Sequence, residues 1–284
     1  CDAAMREPQH NRQVIDKEAV ARSFGKAAAT YDQYALLQRQ TSAELLCLLP
    51  DAIKNKHKRL TNIVDLGCGS GAMLNELAGY ADNVIAADLS IDMLKQARSS
   101  TYSSSSSNAS RTQHAWLNLD AEALPFADNS IDFIVSNLAL QWCDDLALPV
   151  QEMMRCIKPG GYALFSTVAA DSLAEISQAW SAVNNDKHVN DFLTETQISA
   201  AVSASDETVE VLNLQTHTLH YPDVKAVMQS LKGIGANHVQ GKANRVTSRS
   251  ELRQFKANYE KLMQPQGLPI SYNIAYCLIR KAWL

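Results

Sequence analysis

Three glycines and an acid form the group of residues in this chain best suited to bind a ligand. Gly67, Gly69 and Gly71 follow a short apolar run, and Asp88 closes the next one. Glycines that end a buried strand and open a helix let the backbone approach a ligand closely, with free N–H groups pointing at it. With Ala72 as the last small residue, the run also satisfies the G-x-G-x-x-G/A fingerprint of dinucleotide-binding folds, in which an acid about 20 residues on binds the ribose. The glycines alone leave two classes of nucleoside cofactor open.

A second acid, Asp65, stands immediately before the glycine bend. A carboxylate there would repel a pyrophosphate, but it suits a cofactor that carries an ammonium and a sulfonium group. S-adenosylmethionine has both and contains no phosphate. Asp88 can accept charge-assisted hydrogen bonds from both ribose hydroxyls. The pair of acids therefore predicts S-adenosylmethionine as the cofactor, and a nicotinamide oxidoreductase, for which Asp65 is unfavourable, stays the alternative.

The elements that must position these residues follow from the hydrophobic pattern. Short apolar runs predict strands at 62–66, 83–87, 114–117, 131–136 and 162–168, with longer ones at 209–220 and 270–279. Helical spacing predicts helices within 17–49, near 91–98, and at 173–184, 195–203, 224–232 and 251–263. Short buried strands alternating with helices are typical of a doubly wound, mostly parallel α/β sheet of the Rossmann-like class. The late strands predict an antiparallel C-terminal edge strand, and Lys158–Gly161 predicts a turn before the fifth strand.

The same pattern divides the chain. Residues 1–16 are predicted to be a disordered tail and 17–59 an N-terminal helical lid. Residues 60–284 then form the main domain, with inserted helices at about 172–205 and 223–263 covering the acceptor site. The Ser-rich stretch 99–110 predicts an exposed loop.

Composition narrows the class of protein. The net charge of −4 gives no reason to expect nucleic acid as a partner. The six cysteines include no C-x-x-C pair, which argues against a metal site and favours a reducing compartment. His217 and His220 are three apart on a predicted strand and would face opposite sides, so they are not a metal pair. The N-terminus lacks an apolar signal core, and no run approaches the roughly 20 apolar residues of a membrane helix. We expect a cytoplasmic protein; its oligomeric state stays open.

Four motifs resemble the class I S-adenosylmethionine-dependent methyltransferases. They are VDLGCGSG (64–71), AADLSIDML (86–94), LDAEALPF (119–126) and KPGGY (158–162). The resemblance implies that Leu89 lies beside Asp88 in the cofactor site and that Asp120 and Ala121 flank the adenine. It also implies that Asn137 and Leu138, after the fourth strand, lie near the methyl donor.

A narrower resemblance covers the chain from about residue 17 to its end. FGKAA with Tyr31, LLQRQ (36–40), SNLALQWC (136–143), the segment 172–184 and LKGIGANH (231–238) are similar to the malonyl-[acyl-carrier protein] O-methyltransferases of biotin synthesis. That family implies methylation of the free carboxylate of a malonyl group, with the acyl carrier protein as partner. A methyltransferase acting on a free small acid, amine or quinone precursor stays the alternative, and a non-catalytic interaction protein is disfavoured by the intact motifs.

The acceptor site is predicted from residue type and position. The candidate catalytic residues are Tyr31, Trp142, Lys232 and His238, with Tyr34, Gln141, Arg39 and Arg155 as further candidates. A carboxylate is already ionised at neutral pH, so the reaction needs positioning rather than a strong base. An acidic carrier protein needs cations near the pocket mouth. The candidate docking regions are 225–249, which contains Lys225, Lys232, Lys242, Arg245 and Arg249, and Lys54–Arg59.

Overall fold

One mixed sheet organises the molecule. The computed structural model describes residues 15–55, 59–103, 112–235 and 247–283. Within them the strands are β1 (Leu60–Leu66), β2 (Ala81–Asp88), β3 (Gln113–Asn118), β4 (Ile131–Asn137), β5 (Ile157–Val168), β6 (Thr208–Tyr221) and β7 (Leu268–Arg280). Their order in the sheet is β3-β2-β1-β4-β5-β7-β6, and β1 to β5 run parallel. The predicted fold class, a doubly wound and mostly parallel α/β sheet, is confirmed.

Helices cover both faces of this sheet. They are α1 (Lys17–Ala27), α2 (Tyr31–Tyr34), α3 (Leu36–Cys47), α4 (Asp51–Lys54), α5 (Leu74–Leu77), α6 (Ile91–Ser103), α7 (Ala147–Cys156), α8 (Ala174–Ser181), α9 (Glu195–Ser203), α10 (Val224–Gly233) and α11 (Arg249–Glu260). The apolar sides of α3, α5, α8, α10 and α11 join one hydrophobic core, and those of α7 and α9 join the other. None of the helices in the described part of the chain is both long and apolar enough to cross a membrane.

Strand β7 shows why the apolar runs in the sequence are nearly continuous. Ile274, Tyr276 and Leu278 belong to one core, and the residues between them belong to the other. Successive side chains of a strand point to opposite faces, so a strand covered on both sides is apolar at every position.

The antiparallel end of the sheet differs in two details from the sequence prediction. Strand β7 pairs with β5 and with β6, so the C-terminal strand lies inside the sheet and β6 forms the edge. Lys158–Gly161 belongs to β5 instead of forming a separate turn. The Gly160 N–H donates to the Lys281 carbonyl at 3.0 Å, and the Lys281 N–H donates to the Gly161 carbonyl at 2.9 Å. Pairing with the chain beyond β7 therefore extends β5 through these glycines.

The carboxyl ends of the parallel strands converge at one edge of the sheet. Asp65 lies beside Ala86 on β2 and Val135 on β4. Asp88 lies beside Asn118, and Asn137 beside Ser166. The loops that follow β1 to β4 therefore meet where open α/β sheets bind their ligands.

The segments around the sheet agree only in part with the predicted boundaries. The predicted link at 29–34 contains the short helix α2, and α6 continues to Ser103, where the sequence predicts a loop from residue 99. Thr101 is buried, so α6 packs against the rest of the fold beyond residue 99, and the Thr101 hydroxyl donates to the Ala97 carbonyl at 2.8 Å. Most of the predicted N-terminal tail and of the Ser-rich loop lies outside the described residues.

Candidate functional site

A cleft of about 700 Å³ opens at the carboxyl ends of β1 to β4 and is covered by α1 and α2. Its wall includes eight of the ten predicted cofactor residues: Gly67, Gly69, Asp88, Leu89, Asp120, Ala121, Asn137 and Leu138. These residues come from four different loops, and the parallel strands bring them together. Asp65 and Gly71 do not line the cleft.

The glycine bend is shaped by close contacts as well as by its backbone angles. Gly67 has φ +74°, and a Cβ added there would lie 2.2 Å from the Cβ of Ala139. Gly69 has φ +54°, and its N–H donates to the Asp88 carboxylate at 2.9 Å. Side chains are therefore excluded at Gly67, where backbone lines the cleft.

Gly71, a predicted cofactor residue, packs against the helices that follow the bend. A Cβ at this position would lie 2.9 Å from Leu74 Cδ1 and 3.1 Å from the Cβ of Ala97. Its φ of +87° also disfavours any other residue. Gly71 thus permits close packing of the bend against α6 and does not itself face the cleft.

Asp65 lies behind the bend and is completely buried. Neither of its carboxylate oxygens has a hydrogen-bond partner among the described residues. Burial, with the nearby charge of Asp88, raises the pKa of Asp65 to about 8. A buried acceptor without a donor is costly, and a cationic ligand would relieve that cost. This unpaired carboxylate, beside a cradle that excludes side chains, fits a cofactor with positively charged groups.

Asp88 is held in place by the backbone. Its carboxylate accepts hydrogen bonds from Gly69 N–H and from Ser90 N–H, the latter at 2.7 Å. Burial raises the pKa of Asp88 to about 6, and these two hydrogen bonds oppose the shift. At neutral pH the carboxylate is therefore ionised and can accept hydrogen bonds from hydroxyl groups in the cleft.

Lys17 is a cleft residue that the sequence analysis did not identify. Its ammonium is 2.6 Å from the carboxylate of Asp120 and also contacts Glu122. Burial alone would lower the pKa of Lys17, but its hydrogen bonds to the two acids keep it above its ordinary value. The pair joins the first turn of α1 to the loop after β3. No local pattern could reveal it, because the partners are 103 residues apart.

Asn137 and Leu138 form a rigid corner after β4. The Ser166 hydroxyl donates to Asn137 Oδ1 at 2.7 Å, and the Asn137 amide donates to the Gln38 carbonyl of α3 at 3.0 Å. Leu138 has φ +50°, an unusual angle for a residue with a side chain. Asn137 thus fixes α3 on the sheet, and a strained residue faces the cleft.

A second chamber, of about 1640 Å³, adjoins the cleft. The two cavities share Phe24, Tyr31, Leu138 and Trp142 in their walls. The rest of the chamber is mainly apolar, with contributions from α8, α10 and α11. The shared residues therefore surround the place where a group could pass from one ligand to another.

Tyr31 and Trp142 are the predicted acceptor residues that lie at this junction. The Tyr31 ring and hydroxyl come within 3.8 Å of the position that a Cβ on Gly69 would occupy. Burial and the negative charge of Asp88 raise the pKa of Tyr31, so its hydroxyl stays protonated at neutral pH and can donate. The Trp142 and Phe24 rings meet edge to face, with centroids 5.5 Å apart. This contact joins the junction to α1.

Lys232 lies at the outer end of the chamber. Its side chain is exposed and lines both the chamber and a separate surface groove. His238, Lys242 and Arg245 lie outside the described residues. Gln141 lines the chamber with its amide hydrogen-bonded to the Leu138 carbonyl at 2.7 Å.

The remaining candidates have structural contacts elsewhere. Arg39 donates to the Asp32 carbonyl at 2.6 Å, and Arg155 pairs with Glu152 at 2.8 Å. The His217 ring is 2.9 Å from the Tyr276 hydroxyl. In the described part of the chain, histidines, cysteines and acids form no cluster that could hold a metal ion.

Arg59, in the candidate docking region Lys54–Arg59, lies on the side of the molecule opposite the cleft. Arg59 precedes β1, so it lies at the amino ends of the parallel strands, opposite the cleft. Its guanidinium is hydrogen-bonded to Asp82 at 2.8 Å and to the Ala78 carbonyl at 3.3 Å. Arg59 is therefore already paired, and of the described residues in this region neither Lys54 nor Arg59 lines the chamber.

The comparisons with known proteins agree with this geometry. Residues 64–165 match a family model described as a methyltransferase domain. The malonyl-[acyl-carrier protein] O-methyltransferase of Enterobacter lignolyticus is 38% identical over 263 residues, which cover 92% of this chain and 96% of the relative. The biotin biosynthesis bifunctional protein BioHC of Cellvibrio japonicus is 38% identical over 94% of this chain, which spans about half (51%) of that longer protein.

Solved structures give the fold. A Bacillus halodurans protein has 16% identity and a TM-score of 0.57, over 82% of this chain and all of that one. YcgJ of Bacillus subtilis has 19% identity and a TM-score of 0.55, over 81% of this chain and 96% of that one.

Proposed function

This chain belongs to the malonyl-[acyl-carrier protein] O-methyltransferase family, and from that premise we propose that it methylates the free carboxylate of a malonyl group held as a thioester on an acyl carrier protein. The methyl donor is S-adenosylmethionine. The product, a malonyl methyl ester, starts pimeloyl assembly in biotin synthesis, in the cytoplasm as the sequence predicts. The ester hides a charge, so fatty-acid enzymes can extend the group as an ordinary acyl chain.

One observation carries this proposal: the cleft and the chamber share a wall of four residues. Asp88, Asp120 and the backbone at Gly67 and Gly69 would hold the cofactor, which supplies an electrophilic methyl group on sulfur, and Asp65 behind the bend would act on its positive charge at a distance. The chamber on the other side of Tyr31 and Trp142 accepts the malonyl thioester.

The chain's own residues act by orientation. Methyl transfer would form a carbon–oxygen bond on the malonyl group and release the donor as its neutral thioether, and it needs no proton transfer because the attacking carboxylate is already ionised. The Tyr31 hydroxyl can donate to this carboxylate and orient one of its oxygens towards the cleft. Holding the reactants in line contributes roughly 7–11 kcal/mol of the barrier reduction in well-oriented systems.

The chamber wall is largely apolar and aromatic. The Trp180 ring is stacked between the rings of His188 and Phe255, with centroids 3.8 and 4.5 Å away. Leu173, Ile176 and Phe192 extend the same surface. We propose that α1 to α3 act as a lid over the cleft and that α8 to α11 cover the acceptor.

A transfer assay tests the function. Cofactor labelled on its methyl group is incubated with malonyl-carrier protein, malonyl-coenzyme A or a free small acid. We expect base-labile label on malonyl-carrier protein, with a higher kcat/KM than on the other two. Normal cofactor binding without labelled carrier protein would contradict the proposed acceptor, and preferential labelling of the free acid would favour a small-molecule methyltransferase.

A further inference from the structure

A surface groove of about 1240 Å³ runs between α1 and α10. Three cationic side chains line it: Arg22 and Lys26 from α1 and Lys232 from α10. No acidic residue belongs to its described lining. The groove is thus locally basic on a chain whose net charge is −4.

The groove and the acceptor chamber meet at Lys232, which lines both. Beside it the Tyr34 ring, which also lines the groove, packs directly on Gly233. A Cβ at Gly233 would lie 2.1 Å from Tyr34 Cδ2. Lys232 is the one described residue that lines both cavities, so a chain extending from the groove to the chamber would pass it.

Contacts between the two helices hold the groove in shape. The Ser23 hydroxyl of α1 donates to the Gly235 carbonyl, beyond α10, at 2.8 Å. A Cβ at Gly235 would lie 3.0 Å from the Phe24 Cα. The groove therefore exists before a partner arrives.

The cations of the groove are available to a partner. Lys26 and Lys232 form no ion pair with any residue that the structure describes. Arg22 is 3.1 Å from Glu18 and 3.8 Å from Asp16, but all three side chains are largely exposed, and such surface pairs contribute little to stability. An incoming anion can replace these contacts at little cost.

We propose that this groove is the docking site of the acidic acyl carrier protein, and that the phosphodiester of its phosphopantetheine arm lies between Lys26 and Lys232. The proposal rests on the proposed function. A carrier protein presents its acyl group at the end of such an arm, with an anionic phosphodiester near the protein surface and a thioester at the tip. The basic groove would face the anionic phosphodiester, and the apolar chamber would receive the thioester at the tip of the arm. Lys232 lines both cavities.

Charge reversal tests the docking site. Lys26→Glu and Arg22→Glu are compared with Lys256→Glu, an exposed lysine on α11 that lines neither cavity. Each enzyme is assayed with malonyl-carrier protein and with malonyl-N-acetylcysteamine, a truncated thioester that has neither phosphate nor carrier protein. We expect both groove variants to lower kcat/KM for malonyl-carrier protein, relative to kcat/KM for malonyl-N-acetylcysteamine, about tenfold or more. The loss should come mainly from a higher KM for the carrier protein.

Salt and the control variant complete the test. The KM of the wild-type enzyme for malonyl-carrier protein should rise with ionic strength, and this dependence should weaken in Lys26→Glu, because fewer charge contacts are screened. An unchanged ratio in both groove variants, or an equal fall in Lys256→Glu, would overturn the docking site while the methyl transfer itself stands. A wild-type enzyme that fails to methylate malonyl-carrier protein would overturn the proposed function and the docking site together.

Discussion

The ammonium of Lys17 lies 2.6 Å from the carboxylate of Asp120 and ties the first turn of α1 to the loop that borders the cofactor cleft. Both side chains are largely shielded, with 22% and 35% of their surfaces exposed. The contact therefore connects α1, part of the proposed lid, to the cleft wall.

Removing this contact should speed the release of the cofactor product. In Lys17→Met we expect the dissociation rate of S-adenosylhomocysteine to rise about 2- to 5-fold, as loss of an ion pair that contributes up to about 1 kcal/mol would give. Stopped-flow fluorescence can measure this rate. The matched control is Lys158→Met, which breaks a 2.7 Å pair with Asp132 at the opposite edge of the sheet. A similar rate change in both variants would show that general destabilisation is the cause.

Cofactor binding should release a proton from Asp65. Because its pKa is raised to about 8, this carboxyl is mostly protonated at pH 7 in the free protein. Positive charge in the cleft favours the ionised form. Calorimetric titration with S-adenosylmethionine at pH 7, in buffers of different ionisation enthalpy, should report release approaching one proton. Asp65→Asn should abolish that release, and a wild-type value near zero would contradict the assignment.

The same carboxyl should make stability depend on pH. The folded-state pKa of Asp65 lies above its unfolded value, so the folded state binds the proton more tightly. Its favourable contribution is complete below about pH 4 and is lost as pH rises towards and through 8. We expect Asp65→Asn to raise the free energy of unfolding of the cofactor-free protein by at least about 1 kcal/mol at pH 8.5. Urea unfolding at pH 5.5 and 8.5 checks this, and an equal effect at both values would rule out titration as the cause.

Substitution of Gly67 should be costly for two separable reasons. In Gly67→Ala the new methyl collides with Ala139, and the φ of +74° strains any side chain. We expect a loss of about 2 kcal/mol or more in the free energy of unfolding, and weaker cofactor binding. Adding Ala139→Gly removes the collision but not the strain, so the double variant should recover part of the loss. Strict additivity in this double-mutant cycle would show that the two residues do not interact.

Asp88 and Tyr31 should affect different steps. Asp88→Ala should weaken S-adenosylhomocysteine binding by roughly 1.5–3 kcal/mol, the range for hydrogen bonds to a charged group. Tyr31→Phe keeps the ring at the junction and removes only the hydroxyl. It should lower kcat or raise the KM of the acceptor, and change cofactor affinity less than about twofold. Calorimetry and steady-state kinetics separate these effects, and equal losses of cofactor affinity in both variants would contradict the division.

The sequence by itself predicted the sheet and eight of the residues that line the cleft. Asp65, Gly67 and Gly69 are close neighbours along the chain, so their arrangement depends on one strand and one bend. Asp88, at the end of the next strand, is predicted to lie near them because the carboxyl ends of parallel strands meet at the same edge of the sheet. These are local patterns. A strand buried on both faces is apolar at every position, so it can be recognised in the sequence as a continuous apolar run.

Only the tertiary structure decided which distant residues meet. The contact of Lys17 with Asp120, the junction of Tyr31 with Trp142, and the groove across α1 and α10 join segments about 100 to 200 residues apart. Helix amphipathicity indicates that a face is buried, but not which surface covers it. Which surface covers a helix depends on packing throughout the fold. The same packing brings Gly71 against Ala97 of α6 and leaves it outside the cleft lining.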